Sequence, residues 1–263
     1  ERGAFPGKRA DGTSDADEDL RVGRVEMARA MEPVLEDIAV RVTRREVRDV
    51  RKLVDKHLRK RSQDEFLTAL RELYNEFDGV VEEAFRAALL SYARQAMLAA
   101  SAELGKKSKG LTDELRQFVA DYLASMGDGW AASSRLQIEI LLQEAADSNT
   151  DPADLVDERL TRWEETKPGK VGERHAFEAL NALVIASYRS HEVRLIRWLA
   201  SGASCRFCQQ LSGKVVGIEE FFIGEGTSLD GGDAGPMTIK RNVRHAPLHG
   251  GCDCTLSAVI ESA

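Results

Sequence analysis

The chain has 263 residues, of which 43% are apolar, 31% charged and only 6% aromatic, with six prolines. That apolar content builds a packed core and excludes disorder throughout, and the charged, aromatic-poor balance favours long solvated helices over a β-sandwich. A net charge of -7 and a pI near 5.4 argue against a broad basic surface that grips duplex DNA.

Residues 1–18 carry Gly, Asp, Ser and Ala without apolar periodicity and read as a flexible tail or linker. From about Asp19 to Arg61 the spacing predicts a helix. Leu35, Ile38, Val42, Val47, Val50, Val54 and Leu58 form its apolar stripe, and Pro33 is expected to kink or split it. Basic residues from Arg41 to Arg61 surround much of that helix and read first as a salt-bridged surface, with contact to nucleic acid or a partner protein as the rival. Ser62 and Glu65 have the spacing of a capping box, so a second helix is expected there. Its stretch from Val80 to Ala102, with Val81, Phe85, Ala88, Leu89, Tyr92 and Ala96 on one face, suits the middle of a bundle.

Gly105 and the Lys-Lys-Ser-Lys-Gly run behind it predict a loop. A third helix is expected from about Thr112 to Met126, broken by Gly127 and Gly129 and resumed from Ser133 to Ala146. Asp151-Pro152 reads as an N-cap with proline at the first helical position. The helix behind it is expected to end before Lys167-Pro168-Gly169, and a last helix to run from Glu173 to Ser190. Beyond His191 the character changes. Val193–Leu199, Lys214–Ile218 and Phe221–Ile223 read as extended, and Gly224–Gly235 as a long loop.

No run reaches the roughly 20 apolar residues of a membrane span, and no basic-then-apolar leader opens the chain. It begins at Glu1 rather than methionine, which fits trimming, an upstream start or fusion to a preceding domain.

All four cysteines lie between 205 and 254. Clustering of that kind points to one local site rather than to the dispersed bridges of a secreted fold. Cys205-Arg206-Phe207-Cys208 is answered by His249-Gly250-Gly251-Cys252-Asp253-Cys254. A Cys-x-x-Cys turn sets two sulfurs on one side of a tight loop, and a second pair from a distant loop closes the tetrahedron that zinc favours. Five candidate ligands therefore compete for four positions: Cys205, Cys208, His249, Cys252 and Cys254. A regular strand would turn Cys252 and Cys254 the same way and favour four cysteines; a turn there would bring in His249 with one of them. His245 is a weaker candidate. Disulfides and unligated thiols are the rival readings. Catalysis fits less well, because a hydrolytic zinc needs an open position and a nearby base. A deaminase would need a His-x-Glu element that neither His175 nor His191 supplies.

These residues resemble the phage Mu F-like head-morphogenesis family, whose C-terminal domain carries a Cys-x-x-Cys, a Leu-Asp-Gly-Lys-Val-like turn and a closing Pro-Leu-His-x-x-Cys-x-Cys. Here Leu211-Ser212-Gly213-Lys214-Val215 follows Cys208, and Pro247-Leu248-His249-Gly250-Gly251-Cys252-Asp253-Cys254 closes the region. Asn181 and Trp198 stand where that family has an asparagine-bearing helix and a tryptophan-bearing strand. Ser212 replaces the usual aspartate, and Glu173-Arg174-His175 occupies the place of an Arg-Thr-Glu element. The resemblance spans about 170–257. It implies a minor head protein of a tailed bacteriophage, acting in capsid assembly at or near the portal and located in the virion. Phage portal or capsid proteins are its expected partners; contact with DNA is open, and membrane and enzymatic roles are not implied.

The resulting expectation is an α+β chain: a tail over 1–18, a helical body over 19–170 and a small mixed zinc-type module over 171–263. The alternatives are a zinc-stabilised nucleic-acid-binding protein and a metal-dependent hydrolase or toxin-linked enzyme.

Overall fold

The structure, a computed structural model, describes residues 14–201 and 205–260. Four long helices are followed by a region of short strands: α1 (Asp15–Lys56), α2 (Gln63–Glu103), α3 (Asp113–Ser148), α4 (Pro152–Ser190), β1 (Leu195–Leu199), α5 (Arg206–Gln209), β2 (Val215–Gly217), β3 (Ser228–Leu229), β4 (Met237–Thr238) and β5 (Thr255–Val259). The chain is thus α+β, with 69% of its described residues helical and its sheet region towards the C-terminus.

Local chemistry explains where the helices start. Ser14 caps α1 by a reciprocal box in which Ser14 Oγ accepts from Asp17 N at 3.2 Å and Asp17 Oδ2 accepts from Ser14 N at 3.0 Å. Residues 15–18 are therefore helical, whereas the tail expected from sequence reached Glu18; residues 1–13 lie outside the described residues. Asp151 Oδ1 accepts from Ala153 N at 2.8 Å and starts α4 as expected.

Three expected interruptions are absent. Pro33 does not split α1, and the buried neighbours Met31 and Leu35 secure the helix on either side. α3 runs unbroken through Gly127 and Gly129. A Cβ at Gly127 would lie 2.8 Å from the backbone oxygen of Asp78, so glycine here permits a close helix–helix approach. α4 continues through Pro168-Gly169, where Lys167 is held by a salt bridge of 2.7 Å to Glu46.

The chain groups into two compact units, each drawn from more than one stretch of the sequence. One gathers Pro33–Leu89 and Gln117–Gly172. Its core buries the predicted α1 stripe, Leu35 and Ile38 through Val54 and Leu58, together with Phe66, Phe77, Phe85, Trp130, Leu160 and Trp163. The basic stripe is largely ion-paired there. Arg45, Arg48 and Lys52 meet Asp49, Arg51 meets Glu164, and Arg59 meets Asp55, Asp154 and Asp157.

The other unit gathers the described part of Glu1–Glu32 with Leu90–Arg116 and Glu173–Ala263. Its sheet has the order β2-β1-β5, antiparallel throughout, with Ile196 opposite both Val216 and Ala258. Trp198 on the central strand is fully buried and meets Phe222 edge-on at 5.2 Å between ring centroids. The outer edge of β5 is sealed by an ion pair. Buried Arg24 binds Glu103, Tyr188 and the Leu256 carbonyl, while Glu103 Oε1 accepts from Ala258 N at 2.8 Å. The expected Phe221–Ile223 strand is only a bridge between Ile223 and Val243, and the expected loop at 224–235 contains β3, which pairs with β4.

Candidate metal centre

Two loops build the site, and each is anchored before it meets the other. The first is the turn at Cys205–Cys208. Cys205 has extended backbone at the N-cap of α5, and its carbonyl accepts from Gln209 N at 3.0 Å. Leu211 N then donates to Cys208 O at 3.0 Å, and Gly213 N to Trp198 O at 2.9 Å, so the turn hangs from β1. Phe207 packs against the small core of Ile223, Leu229 and Ile239, as does Leu248 at the start of the second loop. One apolar cluster thus draws both loops together.

The second loop reverses at Gly251, whose φ of +79° lies in the left-handed region that glycine tolerates. Residues 250–254 are turn and coil, and β5 begins only at Thr255. The strand that would have favoured a four-cysteine site is therefore not formed, and His249 joins instead. The donor atoms of Cys205, Cys208, His249 and Cys252 all lie within 4.8 Å of one another. His249 Nε2 is 2.9 Å from Cys205 Sγ, 3.3 Å from Cys252 Sγ and 3.9 Å from Cys208 Sγ. Cys252 Sγ is 3.5 Å from Cys208 Sγ and 3.6 Å from Cys205 Sγ.

The sulfur–sulfur spacings fit a metal, while His249 Nε2 stands closer to Cys205 than a bound ion would hold it. Zn–S bonds of about 2.3 Å and Zn–N bonds of about 2.0 Å arranged tetrahedrally give donor separations of about 3.5–3.8 Å. The Cys252 sulfur is too far from those of Cys205 and Cys208 for a disulfide, which needs about 2.05 Å, and none of the four cysteines is disulfide-bonded. His249 Nδ1 lies 2.8 Å from Gly250 O. A proton on Nδ1 donates to that carbonyl and leaves the Nε2 lone pair facing the sulfurs, the usual outer support of a ligand histidine.

The electrostatics show how closely these groups interact. Hydrogen bonds from Cys208 and Cys254 push the Cys252 thiol far below its ordinary range, while Cys208, as donor to Cys252, is pushed far up. The hydrogen bond to Cys252 raises His249 to about 10. An ion displaces such protons, because it binds thiolates and neutral imidazole.

Cys254, the fifth candidate, is outside the four-donor group, though it hydrogen-bonds to Cys208 and Cys252. His245 is also outside it, with Nδ1 2.8 Å from Ala246 O. Sequence reasoning missed the contribution of Gly231. A Cβ there would lie 2.2 Å from Gly235 O and 2.4 Å from Phe207 Cζ, so the glycine lets the 230s loop lie against the cysteine turn. It also missed the pair of buried Glu46 and half-buried Lys167, for which the signal was an acid between Val42 and Val50 on an apolar stripe. No family model matches the chain, and neither a curated protein nor a solved structure gives a match.

Proposed function

We propose that the chain is a minor head protein of a tailed bacteriophage, acting in capsid assembly at or near the portal. In this reading Cys205, Cys208, His249 and Cys252 hold a structural zinc that closes its C-terminal module. The observation that carries the reading is the meeting of the two halves of the head-morphogenesis-like motif, 44 residues apart, with their four donor atoms within 4.8 Å of one another. A module whose small core beside the site has three buried apolar residues, with four partly buried ones packed against them, gains much of its folding energy from such a clasp, on the order of 10 kcal/mol. Four protein donors fill a tetrahedral zinc and leave no position for the water that hydrolysis requires, which favours a structural role over the hydrolase alternative. The ion pairs along the α1 stripe consume much of its positive field, which weighs against a nucleic-acid grip. Among the described residues, no helix is long and apolar enough to cross a membrane.

Elemental analysis tests the clasp. The purified chain is expected to carry one zinc, and Cys205→Ser and Cys208→Ser each to lose it with a lower melting temperature. Absence of metal from the wild-type chain, with melting unmoved by either change, removes the clasp. The head assignment is tested in virus particles. The chain should co-sediment with purified heads at low copy number, and Cys208→Ser should reduce its incorporation. A chain found only in the soluble fraction during assembly contradicts the role.

A further inference from the structure

Within the unit of Pro33–Leu89 and Gln117–Gly172, the hairpin of α1 and α2 separates its charges. Between Arg41 and Arg61 ten arginines and lysines stand against Glu46, Asp49 and Asp55, whereas between Gln63 and Arg86 seven acids stand against Arg71 and Arg86. The two helices are neighbours. Tyr74 Oη donates to Glu46 at 3.0 Å, and Ile38 and Arg41 share a groove with Ala84, Ala87 and Ala88. Yet among the described residues the one ion-pair contact between α1 and α2 in this unit is His57–Glu65 at 3.0 Å. Arg45, Arg48 and Lys52 share the carboxylate of Asp49, while exposed Glu72 and Glu76 have no ion pair among the described residues.

The outer face of the hairpin is therefore complementary to itself. The contacts Glu46–Tyr74 and His57–Glu65 set the heights of the two helices. Arg45 lies near the height of Glu76, and Lys52 near that of Glu72. A twofold axis running along the hairpin brings α1 of one copy opposite α2 of the other at equal height, so a basic row meets an acidic row along both seams. At the open end Val34, 46% exposed, then enters the 590 Å³ groove floored by Ala84, Ala87 and Ala88 of the second copy. From Val34 to Lys56, α1 is roughly 33 Å long, and two helices packed side by side present a face about 18 Å wide. Each copy thus offers roughly 600 Å², about 1,200 Å² for the pair, which reaches the size of a specific interface.

We propose that this face is the interface of a symmetric dimer of the chain, with Arg45 and Lys52 of each copy meeting Glu76 and Glu72 of the other. Charge complementarity favours a second copy over nucleic acid, because the acidic row of α2 repels a polyanion that approaches the basic row beside it. The dimer stands apart from the zinc and head-protein readings, since none of its residues belongs to the metal site.

Sedimentation equilibrium of the full chain tests the dimer. Wild type is expected to be dimeric at micromolar concentration and low salt, and to dissociate more readily as salt screens the rows. Arg45→Glu with Lys52→Glu makes both rows acidic, and Glu72→Lys with Glu76→Lys makes both basic. All four side chains are exposed, so each double variant should keep the wild-type circular dichroism. Each should raise the dimer dissociation constant about a hundredfold or more, the effect of setting like charges face to face. Mixing the two variants should restore a dimer that holds one chain of each, because acid then meets base along both seams. A monomeric wild type, a dimer that neither double change weakens, or a mixture that stays monomeric would each overturn the proposal.

Discussion

Glu46 is wholly buried, yet it accepts from Tyr74 Oη at 3.0 Å, Trp130 Nε1 at 2.9 Å and Lys167 Nζ at 2.7 Å. Lys167 in turn lies 4.2 Å over the Trp130 ring and 4.5 Å over the Trp163 ring, and donates to Ser134 Oγ at 2.7 Å. Burial pulls the Lys167 amine below its ordinary range, and the attraction of Glu46 opposes that pull. Removing one partner leaves an uncompensated buried charge, which costs about 3–5 kcal/mol. Lys167→Met is therefore expected to lose that order of stability in urea unfolding. Adding Glu46→Gln should restore part of it, because the amide is neutral and still accepts from Trp130. A single-variant loss below about 1 kcal/mol, the scale of an exposed pair, would show that the pair does not behave as a buried one. A second residue-scale prediction concerns Gly231. Alanine there must displace Phe207 or the Gly235 carbonyl, and Phe207 stands edge-on to His249 at 6.4 Å. Gly231→Ala should weaken zinc retention against a chelator although position 231 supplies no ligand; unchanged retention would mean that the 230s loop does not support the turn.

At the scale of elements, β5 shows how a strand edge is protected without a further strand. Its outward groups at Leu256 and Ala258 are taken by Arg24 and Glu103 rather than left open to another chain. Glu103→Gln keeps the shape but removes the charge that Arg24 needs, so Arg24 is left fully buried with a weakened partner. The expected result is a lower melting temperature with concentration-dependent aggregation, read by light scattering during heating. A stable monomeric variant would show that the ion pair does not guard the edge. This seal was not legible in the sequence, because its two side chains lie 79 residues apart and only the fold brings them together. What could be read was local. The apolar stripe of α1, the Ser62 and Asp151 starts and the two cysteine-bearing loops all follow from spacing. The breaks expected at Gly127 and Pro168 failed for a common reason. Glycine and proline in a helix cost about 1 and 3 kcal/mol, and tertiary packing outweighs that, through the approach to Asp78 in one case and the Lys167 anchor beside the other. The choice of His249 over Cys254 turned on whether residues 250–254 form a strand, and the reversal at Gly251 decides it.

For the molecule as a whole, acid should act through histidines before it acts through most carboxylates. Burial lowers His175 from 6.5 to about 4, and burial also lowers His191 and His245. The neighbouring charges partly cancel. Glu178 pulls His175 and His245 up, Arg174 and Arg241 push them down, and Lys106 and Lys109 push His191 down. Each group is a base whose folded-state pKa lies below its unfolded value. Between those values the unfolded chain binds protons that the folded chain does not, so stability is complete above about pH 6.5 and falls as pH drops towards 4. The His175 shift alone is worth at most about 3 kcal/mol by pH 4. Metal-free His249 has the opposite sign: raised to about 10, it contributes stability below pH 6.5 that is lost as pH rises towards 10. With zinc bound, the ligand protons are already gone, and acid then competes directly with the ion. Urea midpoints measured from pH 8 to 4 should therefore fall more steeply below pH 6.5 for the zinc-loaded chain than for the chelated one. His175→Gln should flatten both curves by a similar amount. Equal slopes with and without zinc would mean that no proton-coupled metal contributes to folding, and a His175→Gln curve parallel to wild type would mean that the buried imidazole is not what acid attacks.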